Sequence, residues 1–432
     1  MNARDLALAE LDARRLPGWP SDLLRQRREN NSPIDPRDRG LAEHIVAATV
    51  KNLFLLQHLL THYSHRPAQA IDPLVLKILA IGLCQLKFLD RIPPPVVVDE
   101  AVEQTRRVGR AKAAGLVNAV LRNSLREEPP VLPTPENNPA EYARIVLSHP
   151  PELFNRLAAL RGVEAALEFC RHDNSEPPTI VRLFAGVGVE RLQEDGVTIR
   201  PHQSPGLFVV EGARRDQLAQ WARNGLAQVQ DPTSAAVIGQ MKIEPGLTVL
   251  DRCSGLGTKT LQIAELVGKD GLVVATDPSE MRCQKLRELL DHRTIANVRV
   301  IQTGMLTQVN QELPKQFDRI LVDAPCSNSG ALARRAEARF SQTVSALRSL
   351  SELQDRILLN TADWLAPGGL LVYSTCSIWP AENEDRAAML IARRADFAKL
   401  EEATIWPASG DAAEYHDGGY WAILLKQRVS TG

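Results

Sequence analysis

Residues 247–277 read LTVLDRCSGLGTKTLQIAELVGKDGLVVATD. An apolar run ends on Asp251, glycines follow at 255 and 257, helical periodicity starts at Lys259, and a second apolar run ends on Asp277. That order predicts a strand, a tight turn, a helix and a second strand. Further short apolar runs lie at 298–302, 320–323 and 369–374, and helical stretches lie at 259–267, 279–292 and 344–364. Strands joined through helices run parallel, because the crossover brings the chain back to its starting edge. The expectation is a doubly wound, mostly parallel α/β domain over 229–432, with helices on both faces of its sheet.

Toward the N-terminus the pattern changes. Residues 1–127 read as nearly all helix, with apolar residues three and four apart over 41–60 and 74–89. Pro36 before Arg37 and Asp38 marks a helix start, residues 92–95 form a proline-rich turn, and 97–105 open the next helix. Five prolines between 127 and 139 predict a linker, drawn here over 128–144. A helical stretch at 149–172 and short strands at 179–183 and 206–210 predict a small α+β connecting domain over 145–228.

The net charge of -1 offers no global attraction to nucleic acid, so any basic surface must be local. One such stretch carries Arg106, Arg107, Arg110, Lys112, Arg122 and Arg126 with no acidic residue between 104 and 126. It reads either as a solvated helix face or as a patch that contacts phosphates. Apolar runs fall far short of the ~20 residues of a membrane helix. Residues 1–10 carry charges early and hold no signal-peptide core, so a cytoplasmic protein is expected. None of the six cysteines forms a C-x-x-C pair, so free thiols and no metal are expected.

Ligands of an open parallel sheet sit beyond the carboxyl ends of the strands. The first strand runs into Cys253, Ser254, Gly255, Leu256, Gly257, Thr258 and Lys259, and the glycines there allow close backbone approach to a ligand. Asp277 ends the second strand, where a carboxylate accepts from both ribose hydroxyls of a nucleoside. Loop and aspartate together do not choose between a dinucleotide and S-adenosylmethionine.

Two later strands each end in a thiol. One closes on Asp323-Ala324-Pro325-Cys326, the other on Ser374-Thr375-Cys376-Ser377. Carbon-5 of cytosine is a poor nucleophile, but a thiolate added to carbon-6 makes it enamine-like. Methyl transfer to nitrogen or to a hydroxyl requires no such adduct. Asp323 is placed to hold the base edge at N3 and the amino group, and a second thiol to help in the elimination step.

These residues closely resemble the RsmB/Sun family of ribosomal RNA cytosine-5 methyltransferases, within the NOL1/NOP2/Sun group. The two cysteine runs match its signature motifs. Glu382-Asn383, Gln230-Asp231 with Ser234, and Asp417-Gly418 with Trp421-Ala422 resemble further family motifs. Residues 1–127 look like the NusB-type helical RNA-binding domain that the family carries, through Asp38-Arg39, residues 89–93 and residues 115–122. The resemblance implies a Rossmann-like methyltransferase domain using S-adenosyl-L-methionine, with Cys376 as nucleophile and Cys326 as release cysteine. It implies cofactor contacts from the 253–259 loop, Asp277, Arg282, Gly304 and Asp323, and RNA contacts from Arg334 and Arg339. Ribosomal RNA of the small subunit is the implied partner, met by a monomer.

Three positions depart from the family. Leu256 replaces its usual proline, Thr258 replaces a glycine, and Gly304 stands where an aspartate usually meets the adenine amino group. Thr303 or a backbone carbonyl is the expected substitute. Two other readings stay open on sequence: a non-catalytic RNA-binding module of antitermination type, and the same chemistry on transfer RNA.

Overall fold

The computed structural model describes residues 2–21, 35–305 and 313–428. Parts of the predicted helical block, at 1 and 22–34, lie outside the described residues. The chain forms two compact units: Met1–Asn174 with Ala336–Ser341, and Ser175–Arg335 with Gln342–Gly432.

The first unit is helical. Its central helix, Pro73–Phe88, is buried at every position from Leu74 to Gln85. Asp72 caps it by accepting from Leu74 N, and Pro73 occupies the first turn, where a missing N–H costs nothing. The periodic run at 41–60 folds as two helices, Pro36–Lys51 and Leu53–Ser64, which meet at Asn52. One charged pair is sealed in this core: Lys77 Nζ lies 2.6 Å from Asp12, both fully buried, and also donates to Pro20 O.

Two boundaries differ from expectation. The proline-rich stretch contains a helix, Pro139–Ile145, because Asn138 caps Glu141 N and Pro139 fits the first turn. The helices Pro151–Arg161 and Val163–Asn174 belong to the first unit, not to a connecting domain. Their apolar faces (Leu153, Phe154, Leu157, Phe169) need a helical partner, and sequence periodicity alone does not say which.

Arg339, expected at an RNA surface, is fully buried in this unit. Its guanidinium donates to Asn174 Oδ1 at 2.8 Å and to the carbonyl of Asp173 at 3.1 Å, and Phe340 packs edge-on against Phe54. Burial pushes the Arg339 pKa down, and the role is that of a core anchor.

The second unit holds two sheets. The smaller is antiparallel, with β1 (Thr179–Leu183), β2 (Thr198–Pro201), β3 (Leu207–Glu211) and β4 (Ala227–Val229) in the order β2-β3-β1-β4. The larger contains β5 (Thr248–Asp251), β6 (Leu272–Asp277), β7 (Val298–Gln302), β8 (Phe317–Asp323), β9 (Leu365–Thr375), β10 (Phe397–Ile405) and β11 (Gly419–Lys426). Its order is β10-β11-β9-β8-β5-β6-β7. Strands β5 to β9 pair in parallel, and β11 enters antiparallel to β9. The middles of the inner strands are apolar, as a sheet covered on both faces requires: Val249, Leu250, Val273, Val274, Leu321 and Val322 are all fully buried. No described helix is long and apolar enough to cross a membrane.

Candidate active site

The chain leaves β5 for β6 on one side and reaches β8 on the other. That reversal opens a crevice beyond the carboxyl ends of β5 and β8. The crevice measures about 770 Å³, within the usual range of a small-molecule site.

One half is shaped by the turn after β5. Gly255 (φ +58°) and Gly257 (φ +91°) sit in the left-handed region, and a Cβ on Gly257 would lie 2.4 Å from Leu286 Cδ1. A Cβ on Gly255 would meet open space, so the backbone there is free for close approach. Ser254 N binds Thr276 O at 2.9 Å, which ties the turn to β6. Asp277 is buried; its Oδ1 accepts from Ser279 N at 2.8 Å and its Oδ2 from Gly255 N at 3.2 Å, with Arg282 3.5 Å away. Cys253 lines the crevice, and burial pushes its thiol up to about 12.

At the seam, Asp251 and Asp323 close the two central strands. Asp251 is buried, accepts from Thr260 Oγ1 at 2.7 Å, and is pushed up to about 6 by that burial. Asp323 is partly open. Its Oδ2 accepts from Lys259 Nζ at 2.6 Å and its Oδ1 from Ser374 Oγ at 2.8 Å. Burial lowers the Lys259 pKa, but the Asp323 carboxylate outweighs it and the net shift is upward.

The other half carries the thiols. Cys326 Sγ and Cys376 Sγ lie 3.2 Å apart. Asn328, a non-glycine residue at φ +58°, accepts from Cys376 Sγ at 3.1 Å and donates to Cys326 O at 3.2 Å. Behind them stands Glu382, fully buried. Its Oε1 accepts from Ser327 N at 2.9 Å, and its Oε2 from Ser327 Oγ at 2.5 Å and Ser377 Oγ at 2.6 Å. The serine after each cysteine therefore binds the same carboxylate, and this fixes the two strand ends against each other. Asn383 continues the clamp, accepting from Thr375 Oγ1 and donating to Ser377 O. The bond to Cys376 first, and then burial, hold the Cys326 pKa well above the ordinary thiol range.

Arg334 lines the crevice but does not reach outward. Its Nε binds Asp417 at 3.0 Å, its Nη2 lies 3.8 Å from Asp231, and both terminal nitrogens approach Pro178 O at 3.3 Å. Burial and Asp231 push Asp417 up to about 7 despite that pairing.

Cys253, Gly255, Lys259, Asp277, Arg282, Asp323, Cys326, Arg334 and Cys376 from the sequence reading all line the crevice. Ser254, Leu256, Gly257, Thr258 and Gly304 do not. Leu256 is 58% exposed, Gly257 supports the turn from beneath, and Thr303 lines the wall in place of its neighbour Gly304. The basic stretch of the first unit is exposed but partly neutralised: Arg106 pairs with Glu103, Arg107 with Glu100 and Asp5, and Arg110 with Asp72, while Arg122 binds Asn118. Lys112 is exposed. Sequence reasoning missed Arg252 and Asn328 and gave no role to Ser374, which it quoted in the second cysteine run. The one available signal was their position beside a strand-end motif.

Residues 239–416 match the family model described as 16S rRNA methyltransferase RsmB/F, and residues 1–126 match the NusB family. A ribosomal RNA small subunit methyltransferase B from Pseudomonas putida is 29% identical over 92% of this chain and 93% of its own length. Among solved structures, PH0851 aligns with a TM-score of 0.76 at 21% identity over 91% of each chain. A methyltransferase homologue from Pyrococcus horikoshii aligns at 0.52 and 24%, over 64% of this chain and 94% of that one. Both structural likenesses speak for the fold.

Proposed function

We propose that this chain, whose residues 239–416 match the RsmB/F methyltransferase family model and whose residues 1–126 match the NusB family, methylates carbon-5 of a cytosine in small-subunit ribosomal RNA, through a covalent bond to Cys376. The observation that carries this reading is the pair of thiols 3.2 Å apart in one crevice.

The donor set fits S-adenosylmethionine. Asp277 is a buried carboxylate placed for ribose hydroxyls, and the turn at Gly255 leaves its backbone open. Bound S-adenosylmethionine supplies an electrophilic methyl group. Cys376, as thiolate, adds its sulfur to carbon-6, and the ring electron pair moves to carbon-5. Asp323 accepts a hydrogen bond from the base amino group, its charge balanced by Lys259. Once the sulfur–carbon bond has formed, Cys376 no longer offers the hydrogen bond that holds the Cys326 thiol up. Cys326 then passes its proton to solvent water and, as thiolate, takes the one on carbon-5. The electrons of that carbon–hydrogen bond restore the ring double bond as Cys376 leaves.

The target base must leave its stack to reach the crevice. Lys112 and Arg122 of the NusB-family region, with Arg106, Arg107 and Arg110 beside them, supply phosphate contacts that weaken as salt rises.

RNA carrying 5-fluorocytosine tests the reading, since carbon-5 then has no proton to lose. A complex that survives denaturant is expected with the unaltered chain and none with Cys376→Ser. The reading fails if a preparation active on ordinary RNA forms no such complex.

A further inference from the structure

The nucleoside half of the crevice holds a cation that the thiol chemistry does not use. Arg252 follows Asp251 at the end of β5 and lines the crevice. Its Nη1 donates to Thr303 Oγ1 at 3.0 Å and to Thr276 Oγ1 at 3.3 Å. The Thr276 hydroxyl in turn donates to Arg252 O at 2.7 Å. The side chain thus crosses the ends of β6 and β7, on the side of the crevice where Asp277 stands.

Its environment differs from that of two other arginines that line the crevice. Arg282 faces Asp277, and Arg334 faces Asp417 and Asp231. Arg252 pairs with no carboxylate among the described residues; its guanidinium donates to two neutral hydroxyls. A guanidinium is a planar fork of five donors, and two hydroxyl contacts through one nitrogen leave most of that capacity unspent. A cation drawn partly out of water favours a ligand that brings acceptors. Around it, Pro278 and Thr303 complete the wall, and Asp277 is the one carboxylate there among the lining residues.

We propose that Arg252 is a specificity-determining residue for the purine of the cofactor: it donates to acceptor atoms on the edge of the base, so the site reads acceptors there instead of the exocyclic amino group. The proposal rests on the S-adenosylmethionine reading. With the ribose on Asp277, the base extends past the ends of β6 and β7, over the arginine. Thr303 is already engaged as the acceptor that steadies the guanidinium. A purine with oxygen in place of the 6-amino group offers arginine the N7 and O6 pair, a geometry its fork matches with two parallel bonds.

Calorimetry with S-adenosylhomocysteine and with S-inosylhomocysteine, its 6-oxo counterpart, tests this on the full chain. The unaltered protein is expected to bind the two within fivefold of each other. Arg252→Leu is expected to weaken the 6-oxo ligand at least tenfold. Rejection of the 6-oxo ligand by more than fivefold in the unaltered protein overturns the proposal, as does an Arg252→Leu variant that binds both ligands undiminished. The comparison within the unaltered protein requires no variant, so misfolding cannot mask it. If neither ligand binds the unaltered protein, the cofactor reading falls and takes the proposal with it. If S-adenosylhomocysteine binds but the discrimination is wrong, the proposal alone falls.

Discussion

The two halves of the crevice are built on different principles. Around the thiols, buried polar groups satisfy one another: Glu382 takes both serines, Asn383 bridges Thr375 and Ser377, and Tyr373 OH donates to Glu382 O. Around Asp277 the wall is looser, with an open approach at Gly255, an exposed Leu256 and a guanidinium held by hydroxyls alone. The contrast teaches that the tightest polar network surrounds the two thiols, which is where the proposed chemistry would make and break bonds. A reacting thiol must be held in place before its substrate arrives, whereas a cofactor completes the hydrogen bonds of its own pocket.

The sharpest way to break the comparison is at the sulfur. Cys376→Ser should lower methyl transfer by about 10⁴-fold or more, because the hydroxyl is a far weaker nucleophile. Methylation assays with single-turnover kinetics read this directly, and near-normal rates would remove the thiol half from the chemistry.

Next is the clamp. Glu382→Ala leaves Ser327 N and Ser327 Oγ without their carboxylate acceptor, and leaves Ser377 Oγ and Gln354 Nε2 with Ser329 Oγ and Pro325 O alone. A loss of about 4 kcal/mol of unfolding free energy is expected, since bonds to a charged group contribute about 1.5–3 kcal/mol each and do not add fully. Denaturant titration measures it. A loss near zero would mean that the clamp is ornamental and the two halves are alike.

At the seam the expected effect is smaller and depends on pH. Burial raises Asp251 to about 6, above the ordinary ~3.9 of an unfolded chain. The folded state therefore binds more protons than the unfolded state between these values. Stability is full below about pH 4 and falls as pH rises to about 6, by roughly 3 kcal/mol for this one group. Asp251→Asn should flatten that fall in unfolding experiments run from pH 4 to 8. An unchanged slope would assign it to other groups.

The mildest change is on the loose side. Thr303→Val removes one neutral acceptor from Arg252, a bond that contributes about 0.5–1.5 kcal/mol. Binding of S-adenosylhomocysteine should weaken by a few fold. A loss as large as that from Arg252→Leu would show that the arginine is as rigidly held as the thiols.

Much was legible in the chain itself. The strand–turn–helix order over 247–277 implies the parallel sheet, because alternating apolar runs and helices admit few other arrangements. The strand-end positions of Cys326, Cys376, Asp277 and Asp323 follow from where each apolar run stops. Short strands such as β2 and β4 escaped notice, since four or three half-exposed residues carry too little periodicity to register. The helix Pro139–Ile145 hid among prolines that mark helix starts as readily as turns.

What the tertiary structure decided is which charges face which partners. Arg339 and Arg334 look alike in sequence, yet one is walled into the helical core and the other holds Asp417. The arginines of the exposed stretch meet carboxylates from elsewhere, Asp5 and Asp72 among them. Local pattern determines secondary structure because it acts over a few residues. Pairing of long polar side chains depends on contacts between residues far apart in sequence, such as Arg200 with Asp411, 211 positions away, and only the folded chain brings them together.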